Sequence, residues 1–124
     1  MDVIDIKTFI PSKNYDISKA FYSEIGFNAE YVNEDLTLFK NGDCLFFLQR
    51  FYNPELANNF MLQICVADIQ DAFDLCSRSL HKTKISSIEQ QHWGSVFYLW
   101  GPSGELLHIT ELGSFCENEG RNDE

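Results

Sequence analysis

One pattern occurs twice in this chain and limits what it can fold into. Ile17, Ala20 and Phe21 read I-x-x-A-F, and so do Ile69, Ala72 and Phe73. An alternating apolar segment precedes each copy, and a glycine-centred hairpin follows each. Two copies of one supersecondary unit, each unable to bury its apolar face alone, predict a pair of packed modules.

The first copy begins with a strand over Asp2–Ile10, with Ile4, Ile6, Thr8 and Ile10 on one side and Asp5, Lys7 and Phe9 on the other. Asn14 or Asp16 can cap the helix that follows, and Gly26 ends it. Phe27–Val32 reads as a strand. Leu36–Lys40 and Cys44–Arg50 read as a hairpin around Asn41-Gly42-Asp43. The order then restarts. Phe60–Val66 alternates, Asp68 caps a helix, Ile85–Trp93 is extended, and Val96–Trp100 pairs with Glu105–Glu111 across Gly101-Pro102-Ser103-Gly104. The helices lie 52 positions apart and the hairpin glycines, Gly42 and Gly104, 62 apart, so the second copy carries ten extra residues near Leu80–Ser87.

The expected fold is α+β: two β-α-β-β-β modules in one domain over residues 1–112, forming a cleft between mixed sheets. Module 1 runs over about residues 2–50, a linker over 51–59 and module 2 over 60–112. The acidic tail 113–124 is expected to be disordered. Each helix covers one face of its sheet, and the free faces can oppose one another. Alternation then offers Lys7, Phe9, Met61, Gln63, Cys65, Leu106, His108 and Thr110 to the cleft, together with Phe46 and Leu48 or Tyr98 and Trp100.

Charge and composition narrow the function. Nine Lys and Arg stand against 19 Asp and Glu, a formal net charge of −10. This argues against nucleic acid and anionic membrane surfaces as partners, and it suits a cationic ligand. No apolar run approaches the ~20 residues of a membrane span, and the N-terminus lacks the features of a signal peptide, so a cytoplasmic protein is expected. The cysteines form no C-x-x-C pair; Cys44, Cys65 and Cys76 lie in apolar periodic segments and are expected to be buried. Aromatic residues make up 15% of the chain, and Trp93, Tyr98 and Trp100 cluster in the second copy, where rings could stack on a planar ligand. His81 and His92 read as loop or strand-end positions, and the sequence does not say what His81 pairs with. Glu111 falls on the opposite strand face from His108. Glu30, Glu34 and Asp35 read as a solvated edge.

Two segments carry a family resemblance. Phe21-Tyr22-x-x-Ile25-Gly26-Phe27 resembles the F-Y … L-G-F signature of the vicinal oxygen chelate superfamily. Trp93-Gly94, followed by Gly101-Pro102-Ser103-Gly104-Glu105, resembles its W-G … D-P-D-G-N segment. The Pro11-containing first strand is similar to the bleomycin-resistance branch. The resemblance implies paired modules, a homodimer and ligand crevices built from both subunits. It also carries four metal-ligand positions onto Lys7, Phe46 (or Leu48), Met61 and His108, of which only His108 could bind a metal at neutral pH. No metal and no cofactor are therefore expected. The expected function is metal-independent sequestration of a planar, cationic small molecule such as a bleomycin-type antibiotic, giving antibiotic resistance by binding rather than catalysis. The ligand-binding residues would be Phe46, Met61, Gln63, Gln91, Trp93, Tyr98, Trp100 and His108. The alternative is an atypical enzyme of the superfamily, a lyase, isomerase or dioxygenase-like protein, with a degenerate site around His108.

Overall fold

The computed structural model describes residues 1–113. The tail expected to be disordered lies outside the described residues, apart from Gly113. The first module contains β1 (Phe9–Pro11), α1 (Tyr15–Glu24), β2 (Asn28–Asn33), β3 (Leu36–Asn41) and β4 (Cys44–Gln49). A short helix, α2 (Pro54–Asn59), follows. The second module contains β5 (Met61–Cys65), α3 (Ile69–Ser77), β6 (Lys84–Ile85), β7 (Glu89–Gln91), β8 (Gly94–Trp100) and β9 (Leu106–Leu112).

The first sheet has the order β1-β4-β3-β2, with β1 parallel to β4. The second has the order β5-β9-β8-β6, with β5 parallel to β9 and β7 also paired to β8. The fold is α+β, and its two mixed sheets repeat one plan. The extra residues are not one insertion near 80–87, as expected, but are spread along the module. The α3–β6 loop, 78–83, is three residues longer than the α1–β2 loop, 25–27. The β8–β9 turn, 101–105, is three longer than the β3–β4 turn, 42–43, and the strand facing β8 is broken into β6 and β7.

Local chemistry sets the elements. Asn14 caps α1 by accepting from the Ile17 amide at 3.1 Å, and Asp68 caps α3 by accepting from the Asp71 amide at 3.0 Å. Gly26, at φ 108°, closes α1 in the left-handed region. The linker is not irregular throughout. Asn53 accepts from the Glu55 and Leu56 amides, and Pro54 sits at the first turn, which is sufficient signal for α2.

One core serves both modules. Phe21, Tyr22 and Ile25 of α1 meet Phe39, Phe46 and Leu48 of the first sheet, and Cys76 of α3 joins Phe97, Leu99, Leu107 and Ile109 of the second. Leu62 and Ile64 pack against this cluster, as alternation predicts. A buried polar clamp also crosses the modules. Glu105, with no exposed surface, accepts from Tyr22 Oη at 2.7 Å and from the Ser103 amide at 2.9 Å. Ser103 Oγ accepts from the Lys13 amide at 2.7 Å. Burial raises the proton affinity of the Glu105 carboxyl, and burial with the Glu105 charge raises that of the Tyr22 phenol.

Three expectations are corrected. The first strand covers Phe9–Pro11 and not Asp2–Ile10; Ile4 and Ile6 are 98% and 84% exposed. The parallel register pairs Phe9 with Phe47, so Ile6 would fall opposite Cys44, the first residue of β4, and residues before it have no partner there. Lys7 turns back onto the Asp5 carboxylate. The second correction concerns the thiols: Cys76 is buried but Cys44 and Cys65 are exposed, at the module seam. Burial pushes the Cys76 thiol up to about 11. The third is His81, which does have a partner. Its Nδ1 lies 2.6 Å from Glu24 Oε2, while Glu24 Oε1 accepts from Ser79 Oγ at 2.7 Å and from the Leu80 and His81 amides. Burial alone would raise the Glu24 pKa, but these bonds outweigh it and lower it. The inserted loop is thus fastened to the end of α1.

Candidate functional site

The face of the second sheet turned away from the core carries the candidate site. Directly paired residues share a face, so strand register can be read as rows of side chains. Gln63 of β5 pairs with His108 of β9, which pairs with Tyr98 of β8. The next row is Met61, Leu106, Trp100 and Lys84. On the other side stands the row Cys65, Thr110, Val96 and Glu89. The alternate residues Leu107, Ile109, Phe97 and Leu99 point into the core and hold these strands in place.

The rows make an aromatic and polar surface. The Tyr98 and Trp100 rings lie 6.3 Å apart at 51°, and the Tyr98 and His108 rings 5.0 Å apart at 84°. Lys84 Nζ sits 4.9 Å from the centre of the Trp100 ring. His108 Nε2 is shut off from solvent and meets no hydrogen-bond partner among the described residues. A buried, unpaired polar atom costs about 1–3 kcal/mol, so a group that paired with it would recover that cost. Beside it, Gln63 offers both a donor and an acceptor.

Of the eight residues expected to bind ligand, the structure brings five together: Met61, Gln63, Tyr98, Trp100 and His108. Phe46 is corrected. It is 4% exposed, and its ring packs against Phe39, Tyr22 and Phe27. In β4 the inward set is Phe46 and Leu48, because this strand lies under α1. Gln91 pairs with Gly94, four residues along β8 from Tyr98, which is roughly 13 Å away at strand rise. Trp93 lies in the turn before β8, and its carbonyl accepts from the Gly113 amide at 2.8 Å. Lys84, which the sequence reading did not single out, belongs to the face. Only the Lys84–Trp100 register reveals it.

The free faces do not close on each other within the chain. Met61 is 64% exposed, and Phe9, stacked on Phe47 at 4.8 Å in the first sheet, is 48% exposed. Two hollows away from this face bear on the choice of site. One of about 340 Å³ lies at the seam, walled by Cys44, Leu45, Phe46, Leu62 and Gln63. Another, of about 540 Å³, lies at the β2–β3 turn beside Tyr31, Glu34, Asp35 and Phe51. This second one is larger, but it offers no buried unpaired polar atom, and Asp35 is already paired with Arg50 at 3.1 Å.

The four carried metal positions do not fit a metal of the superfamily's kind. Phe46 is inside the core, Met61 has no hard donor, and the Lys7 ammonium is paired with Asp5, which leaves His108 alone. Glu111 does not assist it. Glu111 Oε1 accepts from the Ile69 amide at 2.8 Å, capping α3 on the opposite face.

Comparison with solved structures identifies the architecture. A bleomycin-binding protein solved in complex with bleomycin superposes with a TM-score of 0.73 at 22% identity, covering 90% of this chain and all of that one. This chain carries the glyoxalase/bleomycin-resistance fold. A glyoxalase/bleomycin resistance protein from Streptomyces sp. CB03234 matches with a TM-score of 0.69 at 12% identity, over 85% of this chain and 97% of its own. In sequence, a bleomycin resistance protein of Klebsiella pneumoniae is 27% identical over 112 residues, 82% of this chain and 87% of that protein. No protein-family model matches the chain. Both kinds of comparison return bleomycin-resistance proteins, and the structural one shows the fold that the two motifs implied. Among the described residues, no helix is long and apolar enough to cross a membrane.

Proposed function

We propose that the chain sequesters a planar, cationic small molecule of the bleomycin type, without a metal or other cofactor and without making or breaking a bond. One observation carries this reading: a partly exposed sheet face sets Tyr98, Trp100 and Gln63 around a buried, unpaired His108 Nε2, on a fold whose solved neighbour was crystallised with bleomycin. Trp100 and Tyr98 stack on the ligand's plane, Gln63 and His108 hydrogen-bond to it, and Met61 borders it. Gln91 and Trp93, at the β7–β8 end of the same sheet, contact the outer parts of a long ligand.

The working unit is a homodimer, and the crevice lies between the second sheet of one protomer and the first sheet of its partner. Support comes from the exposed Phe9, stacked on a half-buried Phe47, and from the exposed apolar arm with Ile4 and Ile6. Surface of this kind marks an interaction face. The protein acts in the cytoplasm as a resistance determinant.

The test is a titration of EDTA-treated protein with metal-free bleomycin, followed by tryptophan fluorescence, with light scattering for the oligomeric state. Saturable quenching, weakened about tenfold in Trp100→Ala, is the expected result. Absence of saturable binding would overturn the reading.

A further inference from the structure

The net charge of −10 draws cations to the molecule, yet the candidate face is not acidic. Its three side-chain rows contain one carboxylate, Glu89, and one ammonium, Lys84. Glu89 stands opposite Val96 and Lys84 opposite Trp100, four residues apart along β8, or roughly 13 Å. Among the described residues, no carboxylate pairs with Lys84. Its ammonium instead lies over the Trp100 ring at 4.9 Å. The antiparallel register fixes this contact. Lys84 and Trp100 are directly opposed, so their side chains leave the same face of the sheet side by side.

We propose that Lys84 is a built-in occupant of the Trp100 ring and thereby a specificity-determining residue. The inference rests on the ligand-binding reading of this face. In the free protein, the chain's own ammonium takes the place that a ligand's cation would take over the indole. A cationic ligand gains one cation–π contact and removes another, so the exchange by itself yields almost nothing. A small planar monocation is therefore rejected. A ligand gains only if it also covers Tyr98 and reaches His108 Nε2 and Gln63, because those contacts have no internal competitor. The device works as a filter: it discounts charge and leaves extended planarity and hydrogen bonding to decide.

Lys84→Met keeps the aliphatic stem and removes the charge. Metal-free bleomycin titrated into EDTA-treated wild type and Lys84→Met, at low salt, should bind the variant about two- to fivefold more tightly, the value of one exposed cation–π contact. Lys84→Arg, which stacks at least as well, should restore wild-type affinity or weaken it further. Equal or weaker binding to Lys84→Met would overturn the proposal, since Lys84 would then contribute nothing or contact the ligand favourably.

A second measurement needs no ligand. In a Trp93→Phe background, Trp100 is the sole tryptophan. Quenching of its fluorescence by Cs⁺, at ionic strength held constant with NaCl, should rise at least twofold in Lys84→Met, with little change for neutral acrylamide. Unchanged Cs⁺ quenching would overturn the proposal by itself. If bleomycin binds neither protein while Cs⁺ quenching rises, the sequestration reading fails and the guarding of Trp100 by Lys84 stands.

Discussion

Tyr22→Phe removes one oxygen and should cost far more than its size suggests. The ring lies fully inside the core, edge-on to Phe46 at 5.1 Å and to Phe21 at 4.9 Å, so the phenylalanine leaves no cavity among its neighbours. What disappears is the hydroxyl that donates to Glu105 Oε2 at 2.7 Å. Glu105 has no exposed surface, so water cannot replace this donor, and one side-chain oxygen of a buried carboxylate loses its partner. A hydrogen bond to a charged group contributes about 1.5–3 kcal/mol. A loss of about 2 kcal/mol lowers the melting temperature of a domain this size by about 8 °C. The pH dependence has a fixed sign. Burial raises the Glu105 pKa above its ordinary value of 4.5. The contribution of this group is therefore complete below the unfolded value and declines as pH rises through the folded one. The Tyr22 bond favours the ionised form, so its removal raises the folded pKa further and the penalty grows with pH. Thermal unfolding followed by circular dichroism should show the 8 °C gap at pH 7 and a smaller one at pH 4. A gap below 2 °C at pH 7, or one equal at both pH values, would refute the reasoning.

Glu24→Ala should release the inserted loop: amide-exchange protection at Leu80 and His81 should fall at least tenfold while β8 and β9 stay protected. Because hydrogen bonds lower the Glu24 pKa, its contribution is present above the ordinary value of 4.5 and is lost as pH falls through the folded value, so wild-type loop protection should fade in acid. Gly94→Ala should cost more than about 3 kcal/mol in urea unfolding, since a Cβ there would stand 2.2 Å from the Glu111 carbonyl oxygen at a backbone φ of 145°. Alkylation mapped by mass spectrometry at pH 8 should label Cys44 and Cys65 well before Cys76, whose thiol is buried and raised to about 11.

How much of this was legible depended on how local the cause was. The cap at Asp68, the Gly42 turn and the alternation of β5 and β9 are set by neighbours in sequence, and they were readable. At α1 two candidates, Asn14 and Asp16, stood open until the bond to Ile17 decided for Asn14. Alternation divides β4 into two faces but does not say which is inside. Phe46 and Phe47 are both apolar, and only the contacts of Phe46 with Tyr22 and Phe39 decide. The arm before Phe9 alternates whether or not a strand lies beside it. Glu105 and Glu24 sit next to turns, where carboxylates are normally solvated. The burial of Glu105 and the bonds of Glu24 come from α1 meeting the second module, a contact 83 residues distant in the case of Tyr22 and Glu105. The Lys84–Trp100 pair was hidden for a different reason. The strand facing β8 is broken between β6 and β7, and no periodicity predicts where its pairing resumes.

The two halves of the repeat have divided their labour by strand parity. In the second half, odd positions such as Phe97, Leu99, Leu107 and Ile109 build the interior, while even positions such as Tyr98, Trp100 and His108 meet the outside. Val96 and Thr110 on the even side are buried and belong to the scaffold, whereas substitutions at the partly exposed Tyr98, Trp100 and His108 leave in place the odd-numbered neighbours that hold the strands. A chain built this way can change what it recognises without renegotiating its stability, one side chain at a time along a scaffold that stays put.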